Sequence, residues 1–178
     1  MTVEHKGKRT IEVSGVPTKS DSRADIHYPS SIGLGISRKL NEKLTLAMDV
    51  DWYEWSYMNK ITTRTDLWPD STTYLKGNDS WDLRFGAEYK LSQDLTVRAG
   101  YAYVQGAIPN THILPCKPDA DSHEFSIGIE KKLGNWKIDL LYNYLFTVKE
   151  KPSNNIYGYN GKFNISQHMI GLTASCRF

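Results

Sequence analysis

Apolar and polar positions alternate with a period of two along most of this chain. Over 136–148 one face reads Trp136, Ile138, Leu140, Tyr142, Tyr144, Phe146 and Val148, while the other carries Lys137, Asp139, Leu141, Asn143, Leu145 and Thr147. Over 81–91, Trp81, Leu83, Phe85, Ala87, Tyr89 and Leu91 oppose Asp82, Arg84, Gly86, Glu88 and Lys90. Segments 44–55 and 169–178 repeat the pattern. Successive side chains of a strand point to opposite faces, so this patterning predicts strands with one apolar face. Eight are predicted, over roughly 5–14, 23–39, 44–57, 80–91, 95–105, 121–133, 136–148 and 165–178.

The connections alternate in length. Lys39-Leu40-Asn41-Glu42-Lys43-Leu44, Lys90-Leu91-Ser92-Gln93-Asp94-Leu95 and Lys132-Leu133-Gly134-Asn135-Trp136 each join two strands by a short polar turn. Between these hairpins lie long polar stretches, about 58–79, 106–120 and 149–163, punctuated by Trp68-Pro69-Asp70, Ile108-Pro109-Asn110 and Lys151-Pro152-Ser153. Short turns on one side and long loops on the other are the plan of an outer-membrane barrel. The expected fold is all-β, an antiparallel transmembrane β-barrel.

The two faces decide its polarity. So many Trp, Tyr, Phe and Leu side chains would overfill the inside of a small closed barrel, whereas turned outward they make a lipid-facing band, with Trp136, Tyr89 and Phe178 as an aromatic girdle near the turn end. The polar face sets Lys39, Arg84, Lys90, Arg98, Lys132, Lys137 and Arg177 against Asp49, Asp51, Asp82, Glu88, Glu124, Glu130 and Asp139. That balance predicts a salt-bridged lumen in which Asp49, Asp51, Arg84, Glu88, Glu130, Lys137 and Asp139 form the charge network. On the apolar face the charges Arg38, Glu54 and Lys131 fall toward strand ends, where they cost little. The competing reading is a soluble sandwich with a solvated outer face.

Composition narrows the rest. A chain of 178 residues has room for one core. Its formal charge of +2 leaves no polyanion footprint, so no nucleic-acid partner is expected. The 11 Tyr, 5 Trp and 5 Phe exclude a disordered chain, and no apolar run reaches the ~20 residues of a membrane helix. No secretory leader is legible at Met1-Thr-Val-Glu-His-Lys. Cys116 belongs to a long loop and Cys176 to the opposite end of the last strand. Crossing the apolar band separates them by roughly 25 Å, far beyond disulfide reach, so two free thiols are expected.

Catalytic chemistry finds no motif: there is no Gly-x-Ser-x-Gly elbow, phosphate loop, His-Glu-x-x-His or Cys-x-x-Cys. Ser166 and His168 share a strand face, but residues two apart on a strand lie ~7 Å from each other, too far for a nucleophile and its base. Asp119 and Asp121 lack the further oxygen ligands of a calcium loop. No catalytic residue, metal or cofactor is expected.

The run Asp94-Leu95-Thr96-Val97-Arg98-Ala99-Gly100-Tyr101-Ala102-Tyr103, followed by Ile108-Pro109-Asn110 and Pro118-Asp119-Ala120-Asp121-Ser122-His123, resembles the C-terminal half of the FadL/TodX family of outer-membrane fatty-acid and hydrocarbon transporters. Pro29-Ser30-Ser31-Ile32-Gly33-Leu34-Gly35, Leu44–Ser56 and Phe85-Gly86-Ala87-Glu88-Tyr89 extend the likeness over about residues 28–178, and Glu4-His5-Lys6-Gly7-Lys8 loosely resembles the preceding family strand. Ser122 and Glu124 depart from the family, which often has Arg and Trp there. The closing Phe178 resembles the barrel assembly signal. The resemblance implies a fourteen-stranded barrel with an N-terminal hatch, of which this chain supplies the C-terminal part.

It further implies passive uptake of long-chain fatty acids or aromatic hydrocarbons through the bacterial outer membrane. The expected partners are membrane lipid, a hydrophobic small molecule and the barrel-assembly machinery, with the protein a monomer. Candidates for the ligand pathway are the loop residues Leu67, Trp68, Ile108, Ile113, Leu114 and Tyr157, together with Arg98 as a cation for a carboxylate headgroup. Loop packing, and for Arg98 a structural salt bridge, compete with those roles. Two other classes stay open: an eight-stranded barrel with a structural or surface-adhesion role, and an outer-membrane hydrolase.

Overall fold

A computed structural model of the chain describes residues 2–115, 119–148 and 151–177. Among them are eleven strands: β1 (Thr2–Val13), β2 (Val16–His27), β3 (Ser31–Lys39), β4 (Leu44–Tyr53), β5 (Lys60–Thr65), β6 (Ser71–Tyr74), β7 (Ser80–Lys90), β8 (Leu95–Val104), β9 (Ser122–Leu133), β10 (Trp136–Thr147) and β11 (Ser166–Cys176). Seven make one antiparallel sheet in the order β11-β10-β9-β8-β7-β4-β3, and the other four make a second sheet, β1-β2-β5-β6. The large sheet is an up-and-down wall. Each of its strands pairs with its sequence neighbour, except that β5 and β6 are inserted between β4 and β7.

Side-chain caps fix the tight turns. Asn41 Oδ1 accepts from the backbone N–H of Lys43 and Leu44 at 2.8 and 2.9 Å, and Ser92 Oγ accepts from Asp94 and Leu95 at 3.3 and 3.1 Å. Gly134 supplies a left-handed φ of 59° at the third turn.

Two expectations need correction. The segment 23–39 is not one strand, because Tyr28-Pro29-Ser30 separates β2 from β3. Proline has no N–H to give the ladder, and the Ser30 carbonyl turns to accept from Glu54 N at 2.9 Å. Nor is 58–79 all loop. β5 and β6 form a hairpin there, and β5 pairs with β2, placing Asp25 opposite Thr62 and Ser22 opposite Thr65. The first segment, read as 5–14, runs from Thr2 to Val13 and turns straight into β2 through Ser14 and Gly15, with φ of 52° and 82°. Two consecutive positive φ values give the two-residue turn whose twist matches that of the strands.

Register builds continuous rows across the wall. One face carries Met48, Phe85, Tyr101, Phe125, Tyr144 and His168 in line, each opposite the next. Neighbouring rows on this face add Leu46, Ala87, Ala99, Ile127, Tyr142 and Ile170. Much of this face is exposed in the isolated chain: Ile170 is 74% exposed, and Leu34 on β3 81%. So wide an apolar sheet face is untenable in water and suited to hydrocarbon. Ring contacts run through Phe85, Tyr101, Phe125, Phe146 and Tyr144 to His168. This aromatic belt lies toward the loop end, opposite Tyr89 and Trp136 at the turn end; Phe178 falls outside the described residues.

Among the described residues the buried apolar side chains are Met58, Leu75, Ala107 and Ile113 at the loop end and Ala102 within the wall. Cys176 is a free thiol, and Cys116 falls outside the described residues.

The row structure places Ile127 mid-wall and Leu133 beside the β9–β10 turn. Ile127→Arg is expected to cost about 2–4 kcal/mol and Leu133→Arg about 0–1 kcal/mol, measured by denaturant unfolding of the protein in bilayers. Equal costs at the two depths would contradict the placement.

Candidate functional site

The polar face divides along the strands into three zones. Toward the turns, Arg98 is a hub. Its Nε donates to Glu88 at 2.9 Å, Nη1 to Asp139 at 3.0 Å and Nη2 to Glu130. Lys137 lies 3.6 Å from Glu130 and 3.5 Å from Asp139. Each of the three Arg98 nitrogens is thus engaged by a protein carboxylate, which makes the side chain a strut of the wall.

Midway the face is small: Ala47, Gly86, Gly100, Ser126 and Asn143 stand in one row. A hollow of about 630 Å³ opens here and reaches Gly128 and Gly171. A methyl at Gly100 would press on Ser126 Oγ, so bulk is excluded from this row.

Toward the loops, Arg84 bridges Asp51 and Asp82, with Asp82 at 2.7 Å. Asp49 lies over Gly35 and makes no ion pair among the described residues. Glu124 accepts from Asn143.

Above this third zone the loops close over a cavity of about 410 Å³, within the range of small-molecule pockets. Tyr53 and Val104 enter from the wall, Trp55 and Met58 from a 3-10 turn after β4, Leu75 from the end of β6, and Ala107 and Ile108 from the β8–β9 connection. Ser80, Gln105, Asp82 and Asp119 supply its polar groups.

Close backbone approaches hold the lid. At Gly77 a Cβ would collide with the Trp55 carbonyl, and at Gly106 it would lie 2.9 Å from the Ala120 backbone. Met58 N donates to Trp55 O at 2.9 Å, Leu75 N to Asn59 O at 2.8 Å, and Asn78 N to Ala107 O at 2.8 Å.

The two aspartates considered for calcium serve this lid. Asp119 Oδ2 accepts from Ala107 N and Ile108 N at 2.8 and 2.7 Å. Asp121 accepts from Gly106 N at 2.9 Å and from the Tyr103 hydroxyl at 2.6 Å. Among the described residues no group of three or more His, Cys, Asp or Glu is placed to hold a metal. His168 directs Nδ1 to the Tyr142 hydroxyl at 2.8 Å and stacks on Tyr144; it lies on the apolar face, not in a catalytic pair with Ser166.

The loop residues proposed from sequence separate. Ile108 lines the cavity. Ile113 is buried in a second cluster, where Asn155 Nδ2 donates to the carbonyls of Ile113 and Asn110 at 2.8 and 3.1 Å, and Leu114 is half-buried beside it. His112 is enclosed in the same cluster. Burial, aided by Lys76, pushes its imidazole below the ordinary value. Tyr157 ties the last loop to β6, accepting from Tyr74 N at 2.6 Å and donating to Tyr74 O at 2.8 Å. Trp68 sits in the β5–β6 turn, its carbonyl accepting from Thr65 Oγ1 at 2.7 Å, and Leu67 there is exposed. Tyr53, Met58, Leu75, Val104 and Ala107 were not singled out from sequence, because only folding brings them together.

Asp119→Ala leaves two enclosed N–H groups without an acceptor, a change worth about 1–3 kcal/mol. Hydrogen exchange at Ala107 and Ile108 is expected to accelerate at least about tenfold while the wall strands stay protected. Unchanged protection would contradict the lid's dependence on this carboxylate.

A model of the family described as outer membrane protein transport protein (OMPP1/FadL/TodX) matches residues 2–178. Outer membrane protein P1 of Haemophilus influenzae is 30% identical over 138 residues, covering 76% of this chain and 30% of the relative. A putative outer membrane protein of Neisseria meningitidis serogroup B is 24% identical over 148 residues, covering 76% and 31%. Among solved structures, a TodX monoaromatic hydrocarbon channel carrying a deletion superposes with a TM-score of 0.76 and 25% identity, covering 98% of this chain and 43% of that one. A Pseudomonas aeruginosa FadL homologue gives 0.73 and 22%, covering 90% and 38%, a likeness of fold. The chain spans about a third of the length of the curated relatives it matches. The strand wall, its lipid-suited face and the match along residues 2–178 converge: the chain belongs to the OMPP1/FadL/TodX family of outer-membrane transport proteins.

Proposed function

We propose that this chain is part of a longer barrel that passes hydrophobic small molecules across the bacterial outer membrane by passive diffusion. The observation that carries this reading is the cavity at the loop end. It is lined mainly by apolar side chains and sits over the polar face of the wall, where a molecule arriving from outside the cell would be stripped of water before moving inward. The family is one of outer-membrane transport proteins, and the TodX relative is named as a channel for monoaromatic hydrocarbons.

Ile108 is the residue of the sequence-derived ligand set that fits this role. Arg98 is better read as a strut than as a ligand for a headgroup. The remaining loop residues, Trp68, Ile113, Leu114 and Tyr157, support the mouth by packing. The protein works as a monomer in lipid, and Phe178 is offered as the signal read by the barrel-assembly machinery.

Cells expressing the full-length protein are expected to take up a radiolabelled hydrophobic compound several-fold faster than vector controls, with no loss of rate on adding an uncoupler. Ala107→Trp, which fills the cavity, is expected to remove most of the gain. No gain, with the protein shown to be folded in the outer membrane, would overturn the proposal.

A further inference from the structure

The charges of the inner face are not spread evenly along the strands. In the loop-side half stand Asp49, Asp51, Asp82 and Glu124 against a single base, Arg84. In the turn-side half the order reverses, with Lys39, Lys90, Arg98, Lys132, Lys137 and Arg177 against Glu88, Glu130 and Asp139. The seven acids and seven bases that balance along the sequence are therefore unevenly placed, with acids in excess toward the loops and bases in excess toward the turns.

The cavity sits over the acidic half. Two aspartates, Asp82 and Asp119, are among its lining residues, and among the described residues no Lys, Arg or His is. Of the nearby cations, Arg84 does not line it and is taken up by Asp51 and Asp82, and Lys76, between the lining residues Leu75 and Gly77, is exposed and does not line it either. Asp119 already receives two backbone N–H groups. An entering carboxylate would meet like charge in a partly dehydrated space, and among the described lining residues it would find only Ser80 and Gln105 as side-chain amide or hydroxyl donors beside Tyr53 and Trp55. An uncharged ring or alkyl chain pays none of these costs and gains the contact of Trp55, Met58, Leu75, Val104 and Ile108.

We infer that the loop-end cavity selects uncharged hydrophobic molecules, aromatic ones included, and rejects fatty-acid carboxylates. The inference rests on the proposed transport function and narrows its substrate class. Selection arises at the entrance, from the acidic half of the face, before a ligand reaches the basic half.

A matched pair of probes tests it: 4-bromotoluene and 4-bromobenzoate differ in one substituent, and the bromine of each quenches indole fluorescence. They are titrated at pH 7.5 into the full-length protein in lipid nanodiscs, and the quenching that disappears in Trp55→Phe is taken as the cavity's share. 4-Bromotoluene is expected to half-quench at a concentration at least tenfold below that of 4-bromobenzoate. Asp82→Asn is expected to narrow that ratio at least threefold, which intrinsic differences in probe hydrophobicity would not do. Ile108→Lys sets a cation on the lining and should narrow it independently, should Asp82→Asn fail to fold.

Equal or tighter binding of 4-bromobenzoate, a ratio unmoved in the folded variants, or no Trp55-dependent quenching by either probe overturns the inference. Uptake by cells is a separate readout. A protein that transports but favours the benzoate overturns this inference alone, whereas a protein that binds 4-bromotoluene selectively yet moves nothing overturns the transport function.

Discussion

The structure depends on one constraint: in hydrocarbon, every backbone N–H and C=O must find its partner within the protein. The ladder from β3 to β11 meets it between its two edge strands by pairing in sequence order, apart from the excursion that inserts β5 and β6. Once the backbone is committed to extended pairing, side chains alternate, and each strand must offer one face to lipid and one to the interior. The rows of Met48, Phe85, Tyr101, Phe125 and Tyr144 on one side, and the Arg98 cluster on the other, are two consequences of the same pleat.

Beyond the membrane the constraint lifts and a different physics takes over. At the loop end water competes for every polar group, so order has to come from burial and from capped backbone. Leu75 and Ile113 are almost fully enclosed there, Asp119 and Asp121 satisfy three backbone amides, and Gly77 and Gly106 let segments touch where any side chain would collide. The cavity exists because these devices hold loops from several connections over one end of the wall.

This division explains what the sequence made legible. Where a strand separates lipid from a polar interior, its alternation is strong, and β4, β7, β8, β9, β10 and β11 can be read from residues such as Trp136 to Val148. β5 was hidden because Lys60-Ile61-Thr62-Thr63-Arg64-Thr65 has no apolar face to betray it; it is a strand through pairing with β2 and β6. The alternation continues on both sides of Pro29, which masked the break between β2 and β3 even though proline itself marks it. Arg98 and its acids were visible as a polar face, but not the segregation of charge along it, since that depends on which strand ends are neighbours. The cavity was the least legible feature. Tyr53, Met58, Leu75 and Val104 are scattered over four segments, and of the lining only Ile108 was named for the ligand pathway, as one of the apolar loop residues.

The central claim is that the apolar face meets lipid while the charged face lines the interior. Site-directed spin labelling along β10, from Ile138 to Leu145 in the full-length protein reconstituted in bilayers, tests it most directly. The account predicts that accessibility to oxygen peaks at 138, 140, 142 and 144, and that accessibility to a water-soluble nickel chelate peaks at the positions between. The opposite phase, or no two-residue period, would contradict it.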